Sequence, residues 1–227
     1  MCRACLAKPK PLDAEYFCVQ CRAPFRSRFP LDEQGRCALC RRGLRGFDAA
    51  YSFGFYEEEL RELIHLFKYG RIQTLAQPLG GLLAAAFPRE QSFDLIVPMP
   101  LHWRKRWQRG FNQSALLARE MGRRTNIPVA NSLRRVKSTA AQAGLTNAKR
   151  RLNVSGAFEA RRRAALNGKR VLVIDDVMTT GATAASCARA LKRAGAAQVT
   201  LLTLARVDRR IDLELLSADS SPSGADN

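Results

Sequence analysis

Two adjacent carboxylates follow four apolar residues in Val171-Leu-Val-Ile-Asp-Asp-Val-Met-Thr-Thr-Gly-Ala-Thr183. An apolar run of this length reads as a buried strand, and holding Asp175 and Asp176 against its end costs free energy that a ligand must offset. Thr179, Thr180, Gly181, Ala182 and Thr183 form a small-residue turn that opens into Ala184-Ala-Ser-Cys-Ala-Arg-Ala-Leu-Lys-Arg193, a stretch of helix-forming composition. The unpaired N–H groups of such a turn and helix start, with the helix dipole behind them, attract a phosphate. Gly181 lets the backbone come close, and the threonine hydroxyls add donors. The two carboxylates suit the hydroxyls of a ribose, or a magnesium ion held partly through water. The combination is a cradle for a phosphosugar at the carboxyl end of a parallel strand.

A second set of residues suits a metal. Six of the seven cysteines fall in the first 40 residues, as three Cys-x-x-Cys pairs. Cys18-x-x-Cys21, fifteen residues, then Cys37-x-x-Cys40 is close to the spacing of a tetrahedral zinc site closed by two knuckles. The chain begins Met1-Cys-Arg-Ala-Cys5 with no apolar leader, so a cytosolic setting is expected, where paired cysteines fit a metal better than disulfides. A tetrahedral ion takes four thiolates and six are present. Either Cys2 and Cys5 replace one of the other pairs, or their partners lay upstream of Met1. Cys187, among alanines, is expected to be a small buried residue.

The third set is cationic. Asp94-Leu-Ile-Val-Pro-Met-Pro-Leu-His-Trp-Arg-Lys-Arg-Trp-Gln-Arg-Gly-Phe-Asn-Gln113 runs from an apolar strand through an abrupt Pro-Met-Pro turn into Arg104, Lys105, Arg106 and Arg109. Arg104, Arg106 and Arg109 can grip pyrophosphate oxygens in bidentate fashion, and N–H groups at a helix start near Gln113 add to them. Trp103, Trp107 and Phe111 are interleaved with these cations, a pattern that fits either core anchors or the stacking of single-stranded bases. Of the net charge of +18, residues 101–170 hold +16, from 18 Lys/Arg against Glu120 and Glu159. Charge so concentrated points to a polyanion or an anionic membrane surface. For single-stranded nucleic acid the contacts expected are Arg104, Lys105, Trp107, Lys137, Arg150 and Arg151. His65 and His102 are the only histidines, and neither has a neighbouring nucleophile pattern.

These sets need elements to position them. Residues 1–46 lack sustained periodicity, as expected of a small domain held by metal instead of a core. Residues 47–216 read as one α/β domain, and 217–227 as a small-residue, polar, disordered tail. Within the α/β part, 51–55 reads as a strand and 57–69 as a helix with Leu60, Leu63, Ile64 and Phe67 on one face. A helix over 75–87, a strand over 94–98 and a helix over 113–125 follow, then a short strand near 127–133. Residues 134–153 read either as a loop able to close Lys137, Gln142, Arg150, Arg151 and Asn153 over a ligand, or as a basic linker. Strand 171–175, helix 182–194 ended by Gly195, and strand 199–205 complete a βαβ pattern. No apolar run approaches the roughly 18 residues of a membrane span.

The Asp175–Gly181 segment resembles the 5-phosphoribosyl-1-pyrophosphate (PRPP) motif of type I phosphoribosyltransferases. With Leu63-Ile-His-Leu-Phe-Lys-Tyr-Gly70, Val97-Pro-Met-Pro-Leu-His-Trp-Arg104, Arg109-Gly-Phe-Asn-Gln113, Gln142-Ala-Gly-Leu145 and Arg151-Leu-Asn153, behind the Cys pairs, the chain resembles the ComF family over residues 1 to about 210. The resemblance implies an N-terminal zinc finger on a type I phosphoribosyltransferase-like, Rossmann-type parallel sheet. Mg-PRPP would bind between Arg104–Arg109 and Asp175–Thr183. It also implies a part in natural competence, where members handle incoming single-stranded DNA on the cytoplasmic side of the inner membrane, beside the DNA-uptake machinery, or a part in using DNA as a nutrient. Members often carry a further Cys-x-x-Cys pair upstream of the first pair seen here.

Two function classes follow. As an enzyme, the protein would transfer the phosphoribosyl group of PRPP in nucleotide salvage or nucleoside metabolism, with Asp175 and Asp176 at the reacting centre. As a binding module, the same cradle would hold PRPP while the basic region carries single-stranded DNA. No acceptor-base pocket is recognisable from the residues alone.

Overall fold

The computed structural model describes residues 8–42, 46–101, 107, 109–136, 156–161 and 166–208. Two short strands, β1 (Tyr16–Phe17) and β2 (Pro24–Phe25), pair antiparallel, and a single helical turn, α1 (Ala38–Arg41), follows. Next come β3 (Ala49–Phe55), α2 (Glu58–Tyr69), and a 3-10 turn (Gln73–Leu75) that runs into α3 (Ala76–Ala85). Then follow β4 (Leu95–Pro98), α4 (Gln113–Thr125), β5 (Leu133–Arg135), β6 (Phe158–Ala160), β7 (Arg170–Met178), α5 (Ala182–Arg193) and β8 (Gln198–Arg206).

Strands β3, β8, β7 and β4 lie side by side in that order, and every pairing is parallel. Along β7, Val171 and Val173 enter one buried cluster while Leu172 and Ile174 enter the other; Leu201 and Leu202 divide the same way on β8. Strands apolar on both faces need cover on both, which helices supply. On one face lie α5 and the cysteine module, whose Phe25 joins Phe47, Ala188 and Leu191 in a shared core. On the other lie α2, α3 and α4, and the expected stripe of Leu60, Leu63, Ile64 and Phe67 is buried there.

The expected elements are present with two differences. Strand β7 continues past Asp175 to Met178, because its ladder to β8 holds: Asp175 pairs with Thr203 and Val177 with Ala205. Of the strand expected near 127–133, Val129 makes only a bridge to Ile96 at the outer edge of β4, and Leu133 opens β5. Pro128 accepts the Ile96 N–H at 2.8 Å but has no N–H to extend the ladder. Arg134 and Arg135, expected to begin the 134–153 loop or linker, belong instead to β5, which pairs antiparallel with β6 and not with the main sheet. Residues 137–155, the tail from 209, and Cys2 and Cys5 lie outside the described residues.

Helix α5 after β7 covers one face, and α4 after β4 covers the other. The adjacent strands β4 and β7 thus send their chains to opposite sides, which opens a crevice beyond their carboxyl ends. Such a switch point is where open α/β sheets take ligands.

Candidate functional site

That crevice is a cavity of about 200 Å³. Asp175, Asp176, Thr179, Gly181 and Thr183 line it from the β7–α5 junction, and Met99, Pro100 and Leu101 from the turn after β4. Gly181 caps α5 with φ of 73°, in the left-handed region where a side chain would be strained. Thr180 and Ala182 shape the turn without lining the cavity. Thr180 Oγ1 accepts the Ala182 N–H at 3.3 Å, and Ala182 itself is buried.

Arg109 also reaches the cavity. It donates to Gln113 Oε1 at 3.1 Å and to the Tyr69 hydroxyl at 3.2 Å, and its guanidinium lies 4.9 Å from the centre of the Tyr69 ring. Trp107 is 85% exposed, which excludes a core anchor there and leaves its ring open to contact. Arg104, Lys105 and Arg106 lie outside the described residues, as do Lys137, Gln142, Arg150, Arg151 and Asn153.

Three polar lining residues went unassigned from the sequence: Lys68, Ser114 and Arg135. Ser114, in the first turn of α4, donates its hydroxyl to Asp175 Oδ1 at 3.0 Å, and the Asp176 N–H reaches the same oxygen at 2.9 Å. Asn112 caps α4 by accepting the Ser114 N–H at 3.1 Å and donates to Met99 O at 3.0 Å, tying the β4 turn to the helix start. Lys68, at the end of α2, places Nζ 2.8 Å from Asp176 Oδ1. Its only sequence signal was membership of the Leu63–Gly70 segment.

Burial, and next the Asp176 charge, push the Asp175 carboxyl up to about 7 against the pull of Lys68 and Ser114. Burial alone would press the Lys68 ammonium toward its neutral form, but Asp176, aided by Asp175 and Tyr56, outweighs it and holds the lysine above its ordinary value. Desolvation lowers the Arg135 value, partly countered by Asp175. The carboxylate oxygens are hard donors of the kind magnesium takes, directly or through water.

A groove of about 580 Å³ adjoins the cavity, and Pro100, Leu101 and Arg135 line both. Arg119, Arg134, Arg135 and Arg161 line the groove, with no Asp or Glu lining it among the described residues. Glu159 holds Arg134 at 2.6 Å, and Arg135 lies 5.5 Å from the centre of the Phe158 ring.

In the cysteine module, the sulfurs of Cys18, Cys21, Cys37 and Cys40 lie within 4.8 Å of one another, all buried. Cys18 to Cys40 is 3.7 Å and Cys21 to Cys37 is 3.6 Å. A tetrahedral ion with metal–sulfur bonds of ~2.3 Å needs sulfur–sulfur edges of about 3.8 Å, so the set can hold a metal ion such as zinc. As thiols they cannot all ionise. Donation from Cys21, Cys37 and Cys40 lowers the Cys18 value, while the Cys18 contact raises those of Cys37 and Cys40. The knuckle docks on the sheet through Arg206, whose Nη1 donates to Cys21 O at 2.8 Å. Gly46 lies so close to α5 that a Cβ there would meet Ala185 O at 2.4 Å. Cys187 is fully buried, as expected, and burial raises its thiol.

A phosphoribosyl transferase domain model matches residues 110–220, which include β7, the cradle turn and α5. The DNA utilization protein YhgH of Escherichia coli O157:H7 is 36% identical over 158 residues, covering 66% of this chain and 69% of that protein. Competence protein F of Haemophilus influenzae is 35% identical over 161 residues, covering 67% of this chain and 70% of that protein. The chain belongs to the ComF family. Among solved structures it is similar to a glutamine PRPP amidotransferase from B. subtilis complexed with ADP and GMP. That similarity has 22% identity and a TM-score of 0.40, over 57% of this chain and 26% of that one. It is too loose to add to the family match. No helix among the described residues is long and apolar enough to cross a membrane.

Proposed function

We propose that this ComF-family protein binds PRPP with magnesium in the cradle and single-stranded DNA along the adjoining cationic groove, acting in the cytoplasm during DNA uptake or utilisation. The observation that carries the reading is the meeting of Asp175, Asp176, Thr179 and Gly181 with Thr183 and Ala184 of the α5 start in one cavity at the sheet's switch point. Ribose hydroxyls donate to the two carboxylates. The 5-phosphate accepts from the turn N–H groups and from Thr179 and Thr183. The pyrophosphate accepts from Arg109, joined by Arg104 and Arg106. Magnesium, when bound, neutralises the pyrophosphate charge. Residues 1–46 form a zinc-stapled unit through Cys18, Cys21, Cys37 and Cys40, and 47–216 the phosphoribosyl unit. Support for DNA comes from the four arginines lining the groove, of which Arg134 is paired with Glu159, and the +16 of residues 101–170, together with relatives called a competence protein and a DNA utilization protein.

A second reading, phosphoribosyl transfer, is favoured by the Asp175 carboxyl, pushed up to about 7, which can take a proton near neutral pH. An acceptor would bond to ribose C1 while the C1–O bond breaks, the electron pair leaving with pyrophosphate and the acceptor's proton passing to Asp175. Equilibrium binding of PRPP and of single-stranded DNA to one preparation, alone and in competition, with pyrophosphate release followed in parallel, tests both readings. Binding of both ligands without release supports the binding module. Release on addition of a nucleobase or nucleoside supports transfer, and binding of neither ligand rejects both.

A further inference from the structure

The cradle already holds a cation. Lys68 reaches from the last turn of α2 to β7, where its Nζ lies 2.8 Å from Asp176 Oδ1, and both side chains are only 14% exposed. The preceding residue, Phe67, is fully buried and anchors the helix end, while the Tyr56 ring lies 6.0 Å from the ammonium. The ammonium is therefore confined beside the carboxylates and not free to wander as a surface lysine is. Exposed ion pairs contribute little, but removing one partner of a pair this buried leaves an uncompensated charge.

We infer that Lys68 is the built-in counter-cation of the Asp175–Asp176 pair, letting the cradle accept an anionic phosphosugar without first filling that pair with a divalent ion. The inference rests on the PRPP reading of the same cavity. Two ionised carboxylates side by side would repel an incoming ligand that carries several negative charges, and repulsion at such short range is weakly screened inside a crevice. An ammonium on Asp176 Oδ1 cancels part of that field and leaves the other carboxylate oxygens to accept ribose hydroxyls. It also occupies the Asp176 Oδ1 atom that a divalent ion would otherwise take. Lys68 is a positioning residue: it touches the Asp176 carboxylate and not the reacting atoms.

Calorimetry of PRPP binding to the full-length, zinc-loaded protein, in magnesium and in magnesium-free buffer without chelator, tests this. Wild type and Lys68→Arg should show similar ratios of affinity between the two buffers. In Lys68→Met and Lys68→Gln the magnesium-free affinity should fall about tenfold further than the affinity in magnesium, a difference of ~1.4 kcal/mol. Equal losses in both buffers would overturn the inference, since a merely structural residue weakens binding with or without the metal. Lys68→Gln keeps a donor for Asp176 and serves if Lys68→Met does not fold, and thermal melts of each variant separate the two effects.

A titration with Mn2+ alone, read by water proton relaxation, gives a readout independent of PRPP. Freeing the carboxylate pair in the Met or Gln variant should tighten Mn2+ binding about tenfold over wild type, and unchanged Mn2+ affinity would contradict the inference. If wild type binds PRPP in neither buffer, the PRPP reading falls, and the Mn2+ titration alone decides whether Lys68 is the pair's counter-cation.

Discussion

In the cysteine module the sulfurs lean on one another, Cys18 on Cys40 at 3.7 Å and Cys21 on Cys37 at 3.6 Å. In the cradle the carboxylates lean on other elements: Asp176 on Lys68 of α2 at 2.8 Å, and Asp175 on Ser114 of α4 at 3.0 Å. Both regions crowd acidic groups within a few ångströms. The first can ionise fully only around a cation, and its four thiolates would complete the coordination of a tetrahedral ion. The second is partly compensated from within and keeps a lined cavity beside it. A closed site of this kind staples a fold, whereas an open one exchanges ligand. The two are not independent, because the cysteines share one buried core with α5, whose start forms the cradle.

The largest effect should come from opening the closed site. One zinc per chain is expected by elemental analysis, and Cys18→Ser with Cys37→Ser should prevent its uptake. Binding energies of small structural zinc modules reach about 10–16 kcal/mol, so loss should lower the melting temperature by about 10 °C or more. Hydrogen-exchange protection should vanish over residues 16–41, and PRPP affinity should fall with it through α5. An unchanged melt, or two tightly held zinc ions, would break the comparison.

An intermediate effect should come from the pH dependence of the open site. The Asp175 carboxyl sits at about 7 because of burial first and Asp176 second. In the unfolded chain such a group titrates near ~3.9. Below that value both states hold the proton. Between about 4 and 7 only the folded state keeps it, so stability falls as pH rises through this window and levels off above it. Denaturant melts of Asp175→Asn should lack this decline and give a variant more stable than wild type at pH 8, by on the order of 1 kcal/mol. Parallel pH profiles for the two proteins would count against internal compensation being incomplete at Asp175.

The smallest effects are expected in the groove beyond the cradle. Affinity for single-stranded DNA should fall steeply with salt, each neutralised phosphate contributing about 0.7 to the slope of log K against log salt. Arg119→Ala with Arg161→Ala should flatten that slope by about 1.4, at 0.7 per lost contact. Trp107→Ala should weaken binding by up to about 1 kcal/mol, the low end of base stacking, at unchanged slope if its exposed ring stacks on a base. A slope untouched by the arginine pair would place the DNA elsewhere.

The closed site was legible in the sequence because two Cys-x-x-Cys knuckles fix their ligands by local spacing. The cradle was legible for the same reason, since Asp175 to Thr183 form one continuous strand, turn and helix start. Its compensation was not. Ser114 lies 61 positions from the carboxylate it bonds, and Lys68 is a single lysine on a helix from the opposite layer, so only the folded sheet brings them together. The end of β7 was misjudged because Asp176, Val177 and Met178 read as the start of the turn, yet Val177 keeps its ladder partner Ala205. The arginines of the groove come from α4, β5 and the segment after β6, and no periodicity links these three.

The account turns on the cradle, and one titration tests it most directly. Calorimetry of PRPP with magnesium against wild type and Asp175→Ala/Asp176→Ala should show saturable binding to the first. It should show none to the second, while circular dichroism and the zinc content of the double variant stay as in wild type. Unchanged PRPP affinity in a folded double variant would contradict the account, because the ligand would then be held without the carboxylate pair around which Lys68, Ser114 and the turn are arranged.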